Sequence, residues 1–421
     1  MFLTSLTHRD RLFDISASWL EGSVHGRDAE FVTAAFLLES AITGPSITRL
    51  LDASLASAGA GPPRVHHLRT KAQVRDCIMR SWKSPSRRAR MLFEEYERAP
   101  AAFFPKTPVA MIVTTKPDGR LVSMIRYKNL FRVADKVARR AARRLREDVL
   151  LDLSRRQNVE AVESALANVT GFDAALAEVS EAFLCGESTF TREDLRVDDA
   201  IGAKLVLPEC EFEAVERRLA SHPDVLSLRR SEHHGIYNDV HLLVEVRCPP
   251  KGPTIERLKS MDWSWAPRRG LPRQRLLGAI PEYVETGAGT FFFEILLTTL
   301  PELVEAEFGR GLHENRIVRQ RLDPIWNGRI ATNVLLTSLS MLVLALAPRA
   351  SVDHLPVRIS GRYLPETALV ILAEFFGLDV PCTPLWGAGA GAQGALARDG
   401  RAIAPPEIFD EYGWSRERVS V

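Results

Sequence analysis

A chain of 421 residues is longer than one ordinary domain and predicts two or three. Its 46% hydrophobic and 26% charged residues are those of a soluble globular protein with material for a core, and a formal net charge of +2 excludes a molecule-wide polycation. Arg greatly outnumbers Lys, so local clusters of planar, bidentate guanidinium groups matter more than the total.

Cys77, Cys185, Cys210, Cys248 and Cys382 are scattered, odd in number and without C-x-x-C or His/Cys zinc spacing, which predicts reduced thiols and a cytoplasmic protein. Met1 to Asp10 lacks a basic segment leading into an apolar run, so no signal peptide is expected. The longest apolar stretch, Val334 to Ala347, is interrupted by Thr337, Ser338 and Ser340 and closed by Pro348. It is shorter than the roughly 20 residues a bilayer requires, so it predicts a buried helix and no membrane partner.

In chain order, residues 1–105 read as helical, with apolar residues at helical spacing from Asp28 to Leu51 and from Gln73 to Tyr96, and a loop at Ala58 to Pro63. The basic cluster Lys83 to Arg90 reads as a solvated face. At Pro108 the period becomes extended. Val109 to Thr115 and Arg120 to Lys128 are two strands joined by the turn Lys116-Pro117-Asp118-Gly119, and Arg126 and Lys128, two apart, share a face. Asn129 can cap a following helix whose apolar side carries Leu130, Val133, Val137, Ala141 and Leu145 and whose other side carries Arg132, Lys136, Arg139, Arg140, Arg143 and Arg144. Residues 149–190 read as a helical insert, with Asn158 to Leu166 and Phe172 to Phe183 amphipathic.

Asp198 and Asp199 then introduce a short strand running to Pro208, followed by a helix from Glu211 to Ala220, a strand from Val225 to Arg230, a turn at His234-Gly235 and a strand from Asn238 to Arg247. In the last of these Val240, Leu242, Val244 and Val246 alternate with Asp239, His241, Leu243 and Glu245, which puts Tyr237 and His241 on the more polar face. A long connection spans 249–289. The apolar strand Phe291 to Leu297 carries one carboxylate, Glu294, which if buried and ionised needs a donor, a cation or a metal. Pro301 starts a helix through Phe308, residues 311–380 read as helical, and 381–421 as a partly flexible tail whose stretch Gly387 to Gly394 is a flexible linker. Strands alternating with helices predict an α/β or α+β layered domain with a mixed sheet.

From about residue 120 to 310 this pattern resembles the RelA/SpoT-like alarmone synthetases, pyrophosphokinases built on a nucleotidyltransferase-like mixed sheet. Four ordered pieces carry the resemblance: Arg126-x-Lys128 with Lys136 on the next helix; Asp199-x-x-Gly202-x-Lys204; Tyr237-x-x-x-His241 running into an apolar strand; and Glu294 to Thr299 on the last strand. It implies an α+β fold with helical regions on both sides and transfer of pyrophosphate from ATP to the ribose 3′-hydroxyl of a nucleotide or tRNA acceptor. It further implies Asp199 and Glu294 as catalytic and Mg²⁺-holding carboxylates and Arg126, Lys128 and Lys136 on the ATP phosphates. Lys204 falls on the adenine side, with Tyr237 and His241 at the acceptor. The sequence departs from the family at Lys204, where an Arg is usual, and at Leu296 and Thr298, which replace Gln and Arg.

Taken singly, each residue also has a plain structural account. Tyr237 can end a strand, His241 can pair with Asp239, Asp199 can cap a turn and Lys136 can be a solvated helix cation. Two further readings follow: a catalytically silent nucleotide-binding protein of the same fold, or an RNA-interacting regulator or toxin. The second would use Arg139 to Arg146, Arg268 to Arg275 and the rings of Trp263, Trp265 and Trp326.

Overall fold

The computed structural model describes residues 1–25, 27–55, 63–128, 130–157, 169–233, 238–264, 266–269 and 271–312, together with six single positions between 334 and 345. Nine strands and ten helices are described. The chain opens with β1 (Phe2–Leu3), α1 (Arg9–Leu20), α2 (Asp28–Leu55), β2 (Arg64–Thr70), α3 (Lys71–Ser81) and α4 (Arg87–Arg98). It continues through β3 (Pro108–Thr115), β4 (Leu121–Tyr127), α5 (Leu130–Gln157), α6 (Val169–Leu184), β5 (Arg196–Val197), β6 (Ile201–Val206) and α7 (Phe212–Ala220). Last come β7 (Val225–His233), β8 (Asp239–Arg247), α8 (Lys251–Ser260), α9 (Arg273–Thr286), β9 (Thr290–Thr298) and α10 (Leu300–Phe308).

Seven strands form one mixed sheet in the order β2-β3-β4-β6-β9-β8-β7. Only β6 and β9 pair in parallel, and the other neighbours are antiparallel. The fold is therefore α+β with a mixed sheet. The β3–β4 turn needs a left-handed residue, which Gly119 supplies at φ +88° while Lys116 N–H donates to the Arg120 carbonyl.

The two faces of the sheet are covered differently. Ile125, Ala203, Leu205, Leu242, Val244, Phe293, Ile295 and Leu297 point to one face, where they are buried in a core shared with α1, α2, α5, α7 and α9. Each large apolar side chain removed from water there contributes about 1.5–3 kcal/mol. On the other face Met111, Val113, Met124 and Val206 pack against Ile78, Leu92, Phe93, Leu303 and Phe308 of α3, α4 and α10. Among the described residues that cover reaches only the β3–β4–β6 side. Toward β8 the same face carries Arg126, Gly202, Glu294, His241 and Asp239, and this polar strip is the candidate site.

The observed elements depart from the sequence reading in three places. The region read as helical contains β1, which pairs with β5, and β2, an edge strand of the main sheet. The connection 249–289 holds α8 and α9, because Pro250 and Pro272 stand immediately before helices and set their entry rather than break them. α2 is long and apolar enough to cross a bilayer by length and composition, yet Val32, Leu38, Ile42, Ile47 and Leu50 lie in the core. Of the stretch 334–347, the described positions 334, 337, 338, 341, 342 and 345 are helical and buried. Asn158 to Leu166 and the tail lie outside the described residues.

Candidate functional site

Register brings the polar residues together. Across the sheet Arg126 of β4 faces Gly202 of β6, and Gly202 faces Glu294 of β9. The next row on the same face runs Met124, Lys204, Leu296, His241. Just beyond β4, Lys128 N–H donates to the Ala200 carbonyl at 2.9 Å, so the chain after β4 is held beside the residues that lead into β6.

Asp199, two residues before β6, is the centre of a cation cluster. Lys136 from α5 donates to its Oδ2 at 2.5 Å, Lys128 Nζ pairs with the same oxygen, and Arg126 Nη2 stands 4.0 Å away. Burial would raise the Asp199 pKa, but Lys128 and Lys136 hold its carboxyl far below the ordinary carboxylate range. Lys128 is pushed below the ordinary lysine value by burial and by Arg126 and Lys136, against the pull of Asp199. With Lys128 pushed down to about 6, Arg126 and Lys136 are the cations that remain charged at neutral pH, and two against one carboxylate still leave an excess of positive charge. In addition, Arg126 Nε is buried with no acceptor among the described residues. The neighbouring acid is used differently: Asp198 accepts from Thr4 Oγ1 and from Arg196 Nε, each at 2.7 Å, and so ties β1 to β5.

Glu294 forms the second half. The absence of a side chain at Gly202 lets it lie close over β6: a Cβ there would stand 3.3 Å from the Glu294 carbonyl oxygen and 3.5 Å from Oε2. His241 bridges two carboxylates, with Nδ1 3.4 Å from Glu294 Oε1 and Nε2 3.1 Å from Asp239 Oδ1. Burial would lower the His241 pKa, but Asp239 and Glu294 overcome it and raise the value to about 9. His241 is thus an imidazolium at neutral pH, and Glu294 has a cationic partner in this structure.

The structure brings Arg126, Lys128 and Lys136 together on Asp199, and His241 together with Glu294 and Asp239; Gly202 stands between Arg126 and Glu294 across the sheet. Lys204 shares their face but lies at the covered side, where burial lowers its pKa and the Glu307 carboxylate on α10 opposes that shift. No carboxylate reaches ion-pair distance of it among the described residues. Leu296 and Thr298 are buried. Tyr237 lies outside the described residues. Sequence reasoning treated Asp239 only as a bland partner of His241; the two-residue spacing on an alternating strand was the signal that both enter the site.

The RNA-stacking set requires a correction. Trp263 is a core residue, 1% exposed, with its indole N–H donated to the Leu258 carbonyl at 2.7 Å, so it offers no face to a base. Trp265 and Trp326 lie outside the described residues. On the basic helix, Arg139 is held by Asp135 at 2.7 Å, and Arg144 by Asp148 and by Asp194 at 3.5 Å. A groove of about 560 Å³ lies between α7 and β7, at the far sheet edge, where Arg230 is already paired with Glu216 at 2.6 Å.

Among the described residues no group of three or more His, Cys, Asp or Glu side chains could hold a metal by itself. The oxygen donors Asp199 and Glu294 suit Mg²⁺, which binds through one or two carboxylates with waters and phosphate oxygens completing its shell. Comparison of the chain with family models, curated proteins and solved structures finds no match in any of them.

Proposed function

We propose that the chain is a RelA/SpoT-like, nucleotidyltransferase-type enzyme of the cytoplasm that transfers pyrophosphate from ATP to the ribose 3′-hydroxyl of a nucleotide or RNA acceptor. The observation that carries this reading is the convergence of Arg126, Lys128 and Lys136 on the single carboxylate of Asp199, three residues before Gly202, the partner of Glu294 across the sheet. Excess positive charge at a half-open sheet face, with a buried guanidinium N–H lacking an acceptor, suits the oxygens of a polyphosphate.

In the reaction the acceptor 3′-oxygen bonds to the β-phosphorus of ATP. The bond from that phosphorus to the α,β-bridging oxygen breaks, AMP leaves, and the hydroxyl proton passes to the Glu294 carboxylate. Lys128 and Lys136 turn from Asp199 to the phosphates, and Arg126 supplies its free N–H. Bound Mg²⁺, held by Asp199 and Glu294, would neutralise charge on the transferred group. His241, fixed by Asp239, orients Glu294.

The test is incubation of the protein with labelled ATP, Mg²⁺ and a panel of GDP, GTP, ADP, ATP or deacylated tRNA. Transfer to one of them is expected, and Glu294→Gln is expected to reduce it by about 100-fold or more with the fold retained. Normal turnover in that variant removes Glu294 from the mechanism. A silent nucleotide-binding protein is the second reading, favoured by the buried Leu296 and Thr298 where the resembled family places polar contacts. It predicts ATP binding with no transfer to any acceptor.

A further inference from the structure

Among the described residues a single non-glycine residue has a left-handed backbone: Phe104, at φ 50° and ψ 56°. That conformation is costly for a bulky L side chain, and glycine or asparagine would satisfy it better. The loop itself requires it. Phe104 N–H closes the short turn Pro100–Phe103 on the Ala101 carbonyl, its own carbonyl accepts from Thr107, and the carbonyls of Pro105 and Thr107 accept from the first N–H groups of α3. The side chain takes no part in this. Phe103 is buried against Tyr96 with ring centroids 5.4 Å apart, whereas Phe104 is 44% exposed.

Its position in the fold is informative. Pro108, where β3 begins, pairs with Thr70 at the end of β2; Ala110 pairs with Tyr127 at the end of β4; and Lys128 bonds to Ala200 at the start of β6. The loop holding Phe104 is therefore at the same end of the sheet as Asp199 and its cations. From the start of β3 to the start of β6 is two strand spacings, about 10 Å. Two exposed cations, Arg69 at the end of β2 and Lys106 in the loop, flank it, and neither has an acidic partner among the described residues.

We infer that the ligand gripped at Asp199 continues over this edge as a single strand: the acceptor is a single-stranded polynucleotide, with a base stacked on Phe104 and backbone phosphates on Lys106 and Arg69. A partly exposed aromatic ring on a left-handed loop residue, beside cations without an acidic partner and at the same sheet end as the Asp199 cluster, has the make-up of a sequence-tolerant strand platform. This deepens the reading above and rests on it for the identity of the neighbouring site.

The experiment measures binding of a fluorescent RNA octamer of mixed sequence to the full chain by anisotropy, with binding of a fluorescent ATP analogue followed separately. Phe104→Ala is expected to weaken the octamer about 10-fold and leave the ATP analogue unchanged, with Phe104→Trp restoring affinity. Replacing both Arg69 and Lys106 by Ala should flatten the salt dependence of octamer binding by one to two contacts' worth. The inference is overturned if Phe104→Ala binds the octamer as tightly as the wild type, or if the octamer binds no tighter than a mononucleotide. If the ATP analogue fails to bind while the octamer still depends on Phe104, the platform stands and the pyrophosphate-transfer reading falls.

Discussion

At Gly202 the spacing between strands β6 and β9 leaves little room, because a methyl group there would press on the Glu294 carbonyl oxygen at 3.3 Å and come into contact with its carboxylate at 3.5 Å. Gly202→Ala should be tolerated with a small loss of turnover. Gly202→Val should displace the carboxylate and cut turnover by about 10- to 100-fold, with some loss of thermal stability because the branch also meets the β9 backbone; unchanged turnover in the valine variant would mean that Glu294 need not lie over β6. Asp199 makes a complementary prediction. Asp199→Asn strands Lys128, whose side chain is 9% exposed, beside Arg126 and Lys136, and removing one partner of a buried pair costs about 3–5 kcal/mol. Added pyrophosphate should raise the melting temperature of this variant more than that of the wild type, since the anion replaces the lost charge. An equal or smaller shift in differential scanning fluorimetry would argue against an anion site.

Between elements, a buried polar tie joins α3 to α10. Lys71 Nζ meets Glu307 Oε2 at 2.7 Å and Arg75 Nε donates to the Glu307 carbonyl at 2.9 Å, all within the buried layer below α4. Burial would raise the Glu307 pKa, but Lys71, Lys204 and Arg75 bring it down to about 2. A depressed folded value means stability that is present above the ordinary carboxylate pKa of about 4.3 and is lost as pH falls from there toward 2. Glu307→Gln should cost about 3–5 kcal/mol in urea unfolding at pH 7, and the gap to wild type should shrink at pH 3; a constant gap would separate the effect from this carboxylate's charge. Glu307 was not legible in the sequence, since a Glu in the last turn of a short helix reads as solvated. β2 was missed for a related reason: Arg64 to Thr70 has polar residues on both faces and is exposed at alternate positions on an edge, so it lacks the alternation that betrays β8. The helices α8 and α9 were hidden by prolines that stand at helix starts.

For the molecule as a whole, the mixed sheet was legible because β8 alternates and β9 is continuously apolar on its buried face, and the site was legible as an ordered set of charged residues on strand ends. What the sequence could not convey is pairing. Nothing in the order of residues says that Arg126, Gly202 and Glu294 share one row, that Asp198 is structural while Asp199 gathers cations, or that the helices of the first hundred residues enter the same core as the sheet. Those facts depend on strand order. Strand order also carries a consequence for synthesis. β9 is the last of the described strands yet sits between β6 and β8, so until it leaves the ribosome the two halves of the sheet have no common neighbour and β6 and β8 each expose an unpaired edge. Contacts so distant in sequence form slowly, and open edges of this kind invite association with other chains. The nascent protein is therefore most dependent on chaperones during the interval in which residues 199–289 are out and β9 is not, and a stall placed in that interval should shift the product from soluble to aggregated.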